Sequence, residues 1–139
     1  MSQYFSIGDQ DLWNPASRVG QLFYRTAGVM AQLVDTPHGL HDTEQDEYQV
    51  DPVQFMAFVD ALARCHLSST HTALRTLISG FLATAVVLTE RAGLAVPALT
   101  EPVVAKPRDH SCTTERPDVS GDIVALFARS RELDRTMAR

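Results

Sequence analysis

The sequence predicts an all-α protein, a helical bundle, on three observations. Apolar residues recur three and four positions apart over much of residues 19–88, which is the period of a helix face. Two pairs, Asn14-Pro15 and Asp51-Pro52, stand ahead of such stretches. Asn and Asp accept hydrogen bonds from the free N–H groups of a first turn, and Pro suits the first helical position. Residues 77–88 are apolar nearly all round, as a helix covered by several neighbours must be. The expected bundle is built on an N-terminal helix and one long helix. A short N-terminal extended segment, a Pro-rich linker and a C-terminal helix complete it. The division is a bundle at 1–93, a linker at 94–118 and an amphipathic helix at 119–139.

The elements follow in order. Tyr4-Phe5-Ser6-Ile7 before Gly8-Asp9 reads as a short extended piece and a turn. A lone strand is unstable in water, so it must lie on the helices or pair with another copy. Asn14-Pro15 opens the first helix, whose stripe is Val19, Leu22, Phe23, Thr26, Val29, Met30 and Leu33. Gly20 and Gly28 lie inside it and cost about 1 kcal/mol each relative to Ala. Close approach of a neighbouring backbone is one compensation. Thr36-Pro37-His38-Gly39 ends the helix near Asp35. Residues 40–51 then form an acidic connection carrying Asp42, Glu44, Asp46, Glu47 and Asp51 without a Lys or Arg.

Asp51-Pro52 starts a helical region reaching about Ala92. Phe55, Phe58, Val59, Leu62 and Cys65 share its first stripe. Ser68-Ser69-Thr70-His71-Thr72 competes with the helix backbone and favours caps. With no Gly or Pro in 66–73, a continuous helix or a mild kink is the expectation. Arg91-Ala92-Gly93 is a stop. Pro97, Pro102, Pro107 and Pro117 forbid a regular helix and make 94–118 an extended linker. A last helix starts near Asp118 or Ser120, with Ile123, Leu126, Phe127, Leu133 and Met137 on its apolar face. It either docks or serves as a detachable partner-binding helix.

Composition narrows the class. The 139 residues are 45% hydrophobic and 21% charged, the profile of one globular domain. Seventeen acidic residues against 12 basic ones leave a net charge of −5, which disfavours a nucleic-acid partner. Two cysteines make no disulfide framework. Residues 1–5 resemble no secretory signal. The uncharged run between Arg75 and Glu90 holds 14 residues, against roughly 20 for a spanning helix. A cytoplasmic protein without membrane attachment is expected. The acidic surplus belongs to residues 1–93, with 10 acids and 5 bases, and six of those acids lie between Asp35 and Asp51.

Tyr4-Phe5, Gly8-Asp9, Leu12-Trp13-Asn14-Pro15 and Val19-Gly20-Gln21-Leu22-Phe23 resemble an uncharacterised family of small actinobacterial proteins. Asp46-Glu47-Tyr48-Gln49-Val50-Asp51-Pro52 with Phe55, Phe58 and Leu62 continues the resemblance over about residues 3–93. It implies a bacterial cytoplasmic helical domain. It carries over no site residue, because no activity is established for that family.

Candidate chemistry is sparse. His38, His41, Glu44 and Glu47 are a possible metal set of imidazoles and carboxylates, with His66 or His71 added. His66 and His71 are five apart, so they diverge by roughly 140° on a helix. A solvated acidic loop and ordinary surface histidines are the bland alternative. Cys65 beside His66 makes no dyad, since helix neighbours point apart, and it reads as a core residue. Cys112 beside His110 lies in the linker, without a rigid scaffold. Ser68, Ser69 and His71 lack the elbow motif of a serine nucleophile. No phosphate-binding loop or dinucleotide turn is present.

The leading expectation is therefore a non-enzymatic helical interaction or regulatory protein without a cofactor. A 20-residue helix of roughly 30 Å cannot cover a 40-residue helix of roughly 60 Å. The apolar half of the long helix, marked by Phe81 and Val86, accordingly needs cover from the last helix in cis or from a second copy, and a homodimer is the expectation. Asp51 is expected to cap, and Glu47 to pair with Arg18 or Arg25. Trp13 and Tyr48 read as anchors of segment ends. With Asp42, Glu44, Asp46 and Glu47 they also make a docking patch for a basic protein partner; the last helix is the other candidate contact. The alternatives are a metal-binding helical-bundle enzyme and a toxin-neutralising, immunity-type protein.

Overall fold

A computed structural model describes residues 2–100 and 119–139. They form β1 (Tyr4–Ile7), β2 (Gln10–Trp13), α1 (Ser17–Val34), β3 (Leu40–Asp42), β4 (Glu47–Val50), α2 (Pro52–Ser68), α3 (Thr72–Arg91), a one-turn α4 (Pro97–Thr100) and α5 (Val119–Asp134). The all-α expectation is overturned. The protein is α+β, with a four-stranded mixed sheet ordered β2-β1-β4-β3. Each strand is only three or four residues long, too short for alternation to show in the sequence.

The Tyr4 segment pairs within the chain. It is antiparallel to β2 and parallel to β4, with Phe5 opposite Trp13 and Tyr48. β3 and β4 form a hairpin from what reads as an acidic connection, with Asp42 opposite Tyr48. The parallel pairing needs a crossover, and α1 lies within it.

Aromatic rings join the sheet to the helices. Phe5 stacks on Tyr48 at 4.7 Å and on Trp13 at 5.4 Å, and meets Phe23 of α1 edge-on at 5.3 Å. Phe23 stacks on Phe81 of α3 at 4.8 Å. Phe58 of α2 meets Phe81 at 6.0 Å. This cluster is the centre of the core.

Helix boundaries show where local signals held. Asp51 caps α2 as expected: its Oδ1 accepts from the Val53 and Gln54 N–H groups at 3.0 and 3.1 Å. Asp35 ends α1 in a left-handed conformation. Asn14-Pro15 does not start α1, whose N-cap is Ala16. These residues tie down chain segments instead. Asn14 N–H donates to the Ala138 carbonyl at 2.9 Å, and the Pro15 carbonyl accepts from Gln3 N–H at 3.0 Å. A Cβ on Gly20 would lie 2.7 Å from Gln3 Oε1, so the close approach there is of a side chain and not of the expected backbone, and a Cβ on Gly28 would meet nothing within 4 Å.

The continuous long helix is also overturned. α2 ends at Ser68 and α3 begins at Thr72. Ser69 Oγ accepts from His71 N–H at 3.1 Å, and His71 Nδ1 accepts from Leu74 N–H at 3.3 Å. Two adjacent caps break the helix without Gly or Pro. The supposed length mismatch disappears with it, because the two helices have 17 and 20 residues.

The stretch 94–100 is not an extended linker. α4 buries Ala98 and Leu99, and Ala98 N–H donates to Asp60 Oδ1 at 2.7 Å. The rest of the linker expectation, 101–118 with His110 and Cys112, lies outside the described residues. α5 docks on α3, burying Leu126 and Ser130. Arg75 pairs with Asp122 near one end, and Arg91 with Asp134 at the other. α3 and α5 therefore run parallel. α3 is long and apolar enough to cross a membrane, yet Ile78, Leu82, Val86 and Leu88 are enclosed by the protein's own core.

Candidate functional site

The structure separates the residues singled out in the sequence. Trp13, Tyr48, Phe81 and Val86 are buried, Val86 to 1% exposure. Trp13 and Tyr48 anchor segment ends. Phe81 and Val86 form no surface, so the face expected to self-associate is interior. Of the two sources of cover that the length argument allowed, the last helix in cis supplies it: α5, with α2 and β2, packs on α3. Tyr48's phenol is pushed up by burial and then by the nearby Asp42 carboxylate.

The acidic residues divide by position. Asp42, Glu44 and Asp46 are exposed at the β3–β4 turn, where Glu44 and Asp46 have positive φ. Glu44 N–H donates to Asp42 Oδ1 at 2.8 Å. Glu47 points into β-sheet neighbours rather than to an arginine of α1. Its Oε1 accepts from Ser6 Oγ and, at 2.6 Å, from Gln49 Nε2. His38 Nδ1 accepts from Leu40 N–H at 2.9 Å, and its ring meets Tyr24 edge-on at 5.6 Å. Burial, then His41, lowers its pKa. Among the described residues, no three His, Cys, Asp or Glu side chains converge to hold a metal ion.

Two other features stand out. The first is the outer face of α1. The expected single stripe is split: Phe23 and Met30 face the core, whereas Val19, Leu22, Val29 and Leu33 are 49%, 67%, 65% and 48% exposed. The exposed set, with Thr26, falls at i, i+3, i+7, i+10 and i+14. That is the a/d spacing of a two-helix seam. Thr26 Oγ1 donates to the Leu22 carbonyl at 2.7 Å, so its hydroxyl proton is satisfied within the helix.

The second is a cleft of about 490 Å³ between α3 and α5, to whose lining α2 contributes His66. His66, Arg75, Asp122 and Arg129 line it, with Thr76 and Ser79 on its wall. Arg75 Nη2 donates to the Asp122 carboxylate. His66 is only 7% exposed, and its Nδ1 is buried without a hydrogen-bond partner, as is Arg75 Nε. Burial lowers the His66 pKa. Arg75 lowers it further, against opposing effects of Asp122 and a hydrogen bond to the Arg75 backbone. His66 is thus no surface histidine. Its register with Val59 and Leu62 was the available signal. Asp122 is brought to Arg75 across 47 positions, which no local pattern announces.

A small mixed sheet packed on helices, with a polar interhelical cleft and an uncovered apolar helix face, defines an α+β domain. The chain belongs to the family of unknown function DUF6086, whose model matches residues 1–139. The family thus extends past residue 93 and takes in α5, which the resemblance in the sequence had left outside. No curated protein and no solved structure matches the chain.

Proposed function

We propose that this protein is a non-enzymatic interaction protein that self-associates through the outer face of α1. The observation that carries the reading is the seam of exposed Val19, Leu22, Val29 and Leu33 with the half-buried Thr26 among them. Its spacing of three, four, three and four residues is centred on Thr26. In an antiparallel pair with Thr26 on the axis, Val19 lies level with Leu33 of the other copy, and Leu22 and Val29 lie within one residue of each other's level. One patch therefore complements itself across a two-fold axis, as an isologous dimer requires. The seam spans about 21 Å at 1.5 Å per residue. Its polar edge, with Arg18, Gln21, Arg25 and Gln32, stays in water, and all four are exposed.

Sedimentation equilibrium tests the reading on the full chain. A dimer at micromolar concentration is expected. Leu22→Asp and Val29→Asp should each yield monomer with an unchanged circular dichroism spectrum, because both side chains already face solvent. A monomer at 100 µM, or a dimer indifferent to both substitutions, overturns it.

A further inference from the structure

We infer that the cleft between α3 and α5 is a binding site for a small phosphate ester bearing hydroxyl groups. Among the described residues its cationic donors are Arg75 and Arg129, and Asp122 is the one carboxylate that lines it. The described lining therefore carries one net positive charge in a chain of net charge −5. Arg129 is 64% exposed and makes only a 3.9 Å contact with Glu132, so its guanidinium is available at the mouth.

The helices add to the field. α3 and α5 are parallel, and the cleft lies along their N-terminal halves. Both helix dipoles present their positive ends on this side, which favours an anion. Arg75 Nε and His66 Nδ1, on two of the side chains that line the cleft, are buried without a partner. The Arg75 side chain as a whole is a quarter exposed, and a guanidinium N–H takes an acceptor such as a phosphate oxygen.

The other polar groups call for a different part of the ligand. Thr76 Oγ1 donates to the Thr72 carbonyl at 2.9 Å, and Ser79 Oγ to the Thr76 carbonyl at 3.0 Å. Their protons are committed, so these oxygens offer lone pairs. Asp122 also accepts. A bare inorganic anion uses only the donors. A phosphate ester with hydroxyl groups uses both halves of the lining. The volume falls within the roughly 300–1,000 Å³ of small-molecule sites.

Calorimetric titration of the full chain with ribose 5-phosphate, inorganic phosphate and ribose tests the inference. Ribose 5-phosphate should bind at least 5-fold more tightly than phosphate, and ribose should show no heat. Arg129→Ala should weaken ribose 5-phosphate at least 5-fold while leaving the unfolding temperature unchanged, since this side chain is exposed. Thr76→Val should weaken ribose 5-phosphate but not phosphate. No binding of ribose 5-phosphate at 10 mM overturns the site, as does wild-type affinity in Arg129→Ala. Equal affinity for phosphate and ribose 5-phosphate overturns the hydroxyl recognition.

Discussion

Arg91 Nε donates to Asp134 Oδ1 at 2.8 Å, joining the last turn of α3 to the last turn of α5. The same guanidinium donates through Nη1 to the Leu12 carbonyl of β2 at 2.7 Å. Its Nη2 reaches the Asp134 and Met137 carbonyls at 3.1 and 2.8 Å. One nearly buried cation thus fastens the sheet, the core helix and the C-terminal helix together. Arg91→Ala should lose about 2–3 kcal/mol, because charge-assisted bonds are lost and the part-buried Leu12 and Met137 carbonyls lose their donor. Asp134→Ala should lose under about 1 kcal/mol, since Asp134 is half exposed. Urea denaturation of both variants measures the asymmetry, and equal losses would refute it.

Core substitutions separate interior from surface. Phe81→Ala removes a ring that touches Phe23 and Phe58 and should destabilise by about 3–5 kcal/mol. Val86→Asp places an unpaired carboxylate in the core and should abolish cooperative unfolding. A folded, monomeric Val86→Asp protein would show instead that this face is an interface.

Gly39 precedes β3 at φ +71°, and an added Cβ would lie 2.7 Å from Gln54 Cβ and 2.9 Å from Phe55 N. Gly39→Ala should therefore cost more than about 1 kcal/mol, from left-handed strain and contact with the first turn of α2. Asp51→Ala should cost about 1 kcal/mol through loss of its two capping bonds. Thermal unfolding of the two variants checks both; a stabilised Gly39→Ala would contradict the geometry.

The histidines set an acid-side slope. His66 and His38 both have pKa values lowered by burial in the folded state. The unfolded chain therefore binds more protons as pH falls through about 6.5, the ordinary histidine value. Stability is full above that pH and is lost as pH falls through it toward the folded values. His66→Gln should flatten part of this slope between pH 8 and 5. Unfolding temperatures that fall as steeply in the variant as in the wild type would exclude His66 as a source.

Local chemistry was legible in the sequence by itself. Asp51-Pro52 specified a helix start because a carboxylate and a ring act on their own first turn. The end of α1 at Asp35, the end of α3 at Arg91 and the apolar face of α5 were legible for the same reason. The signals that misled were also local: Asn14-Pro15 looks like a cap, but its backbone is engaged by Gln3 and Ala138. Only the tertiary structure decided the sheet, because strands of three or four residues are too short to show alternation, and the pairing that joins the two local hairpins, β1 with β4, brings Tyr4 to Glu47 across the whole of α1. It also decided which half of α1's apolar stripe is covered. Periodicity marks an apolar face but not its neighbour, so Phe23 and Met30 could not be told from Val19 and Leu22. The cleft depends on the same kind of contact. His66, Arg75 and Asp122 come together only because α2 breaks before α3 and α5 returns parallel to it.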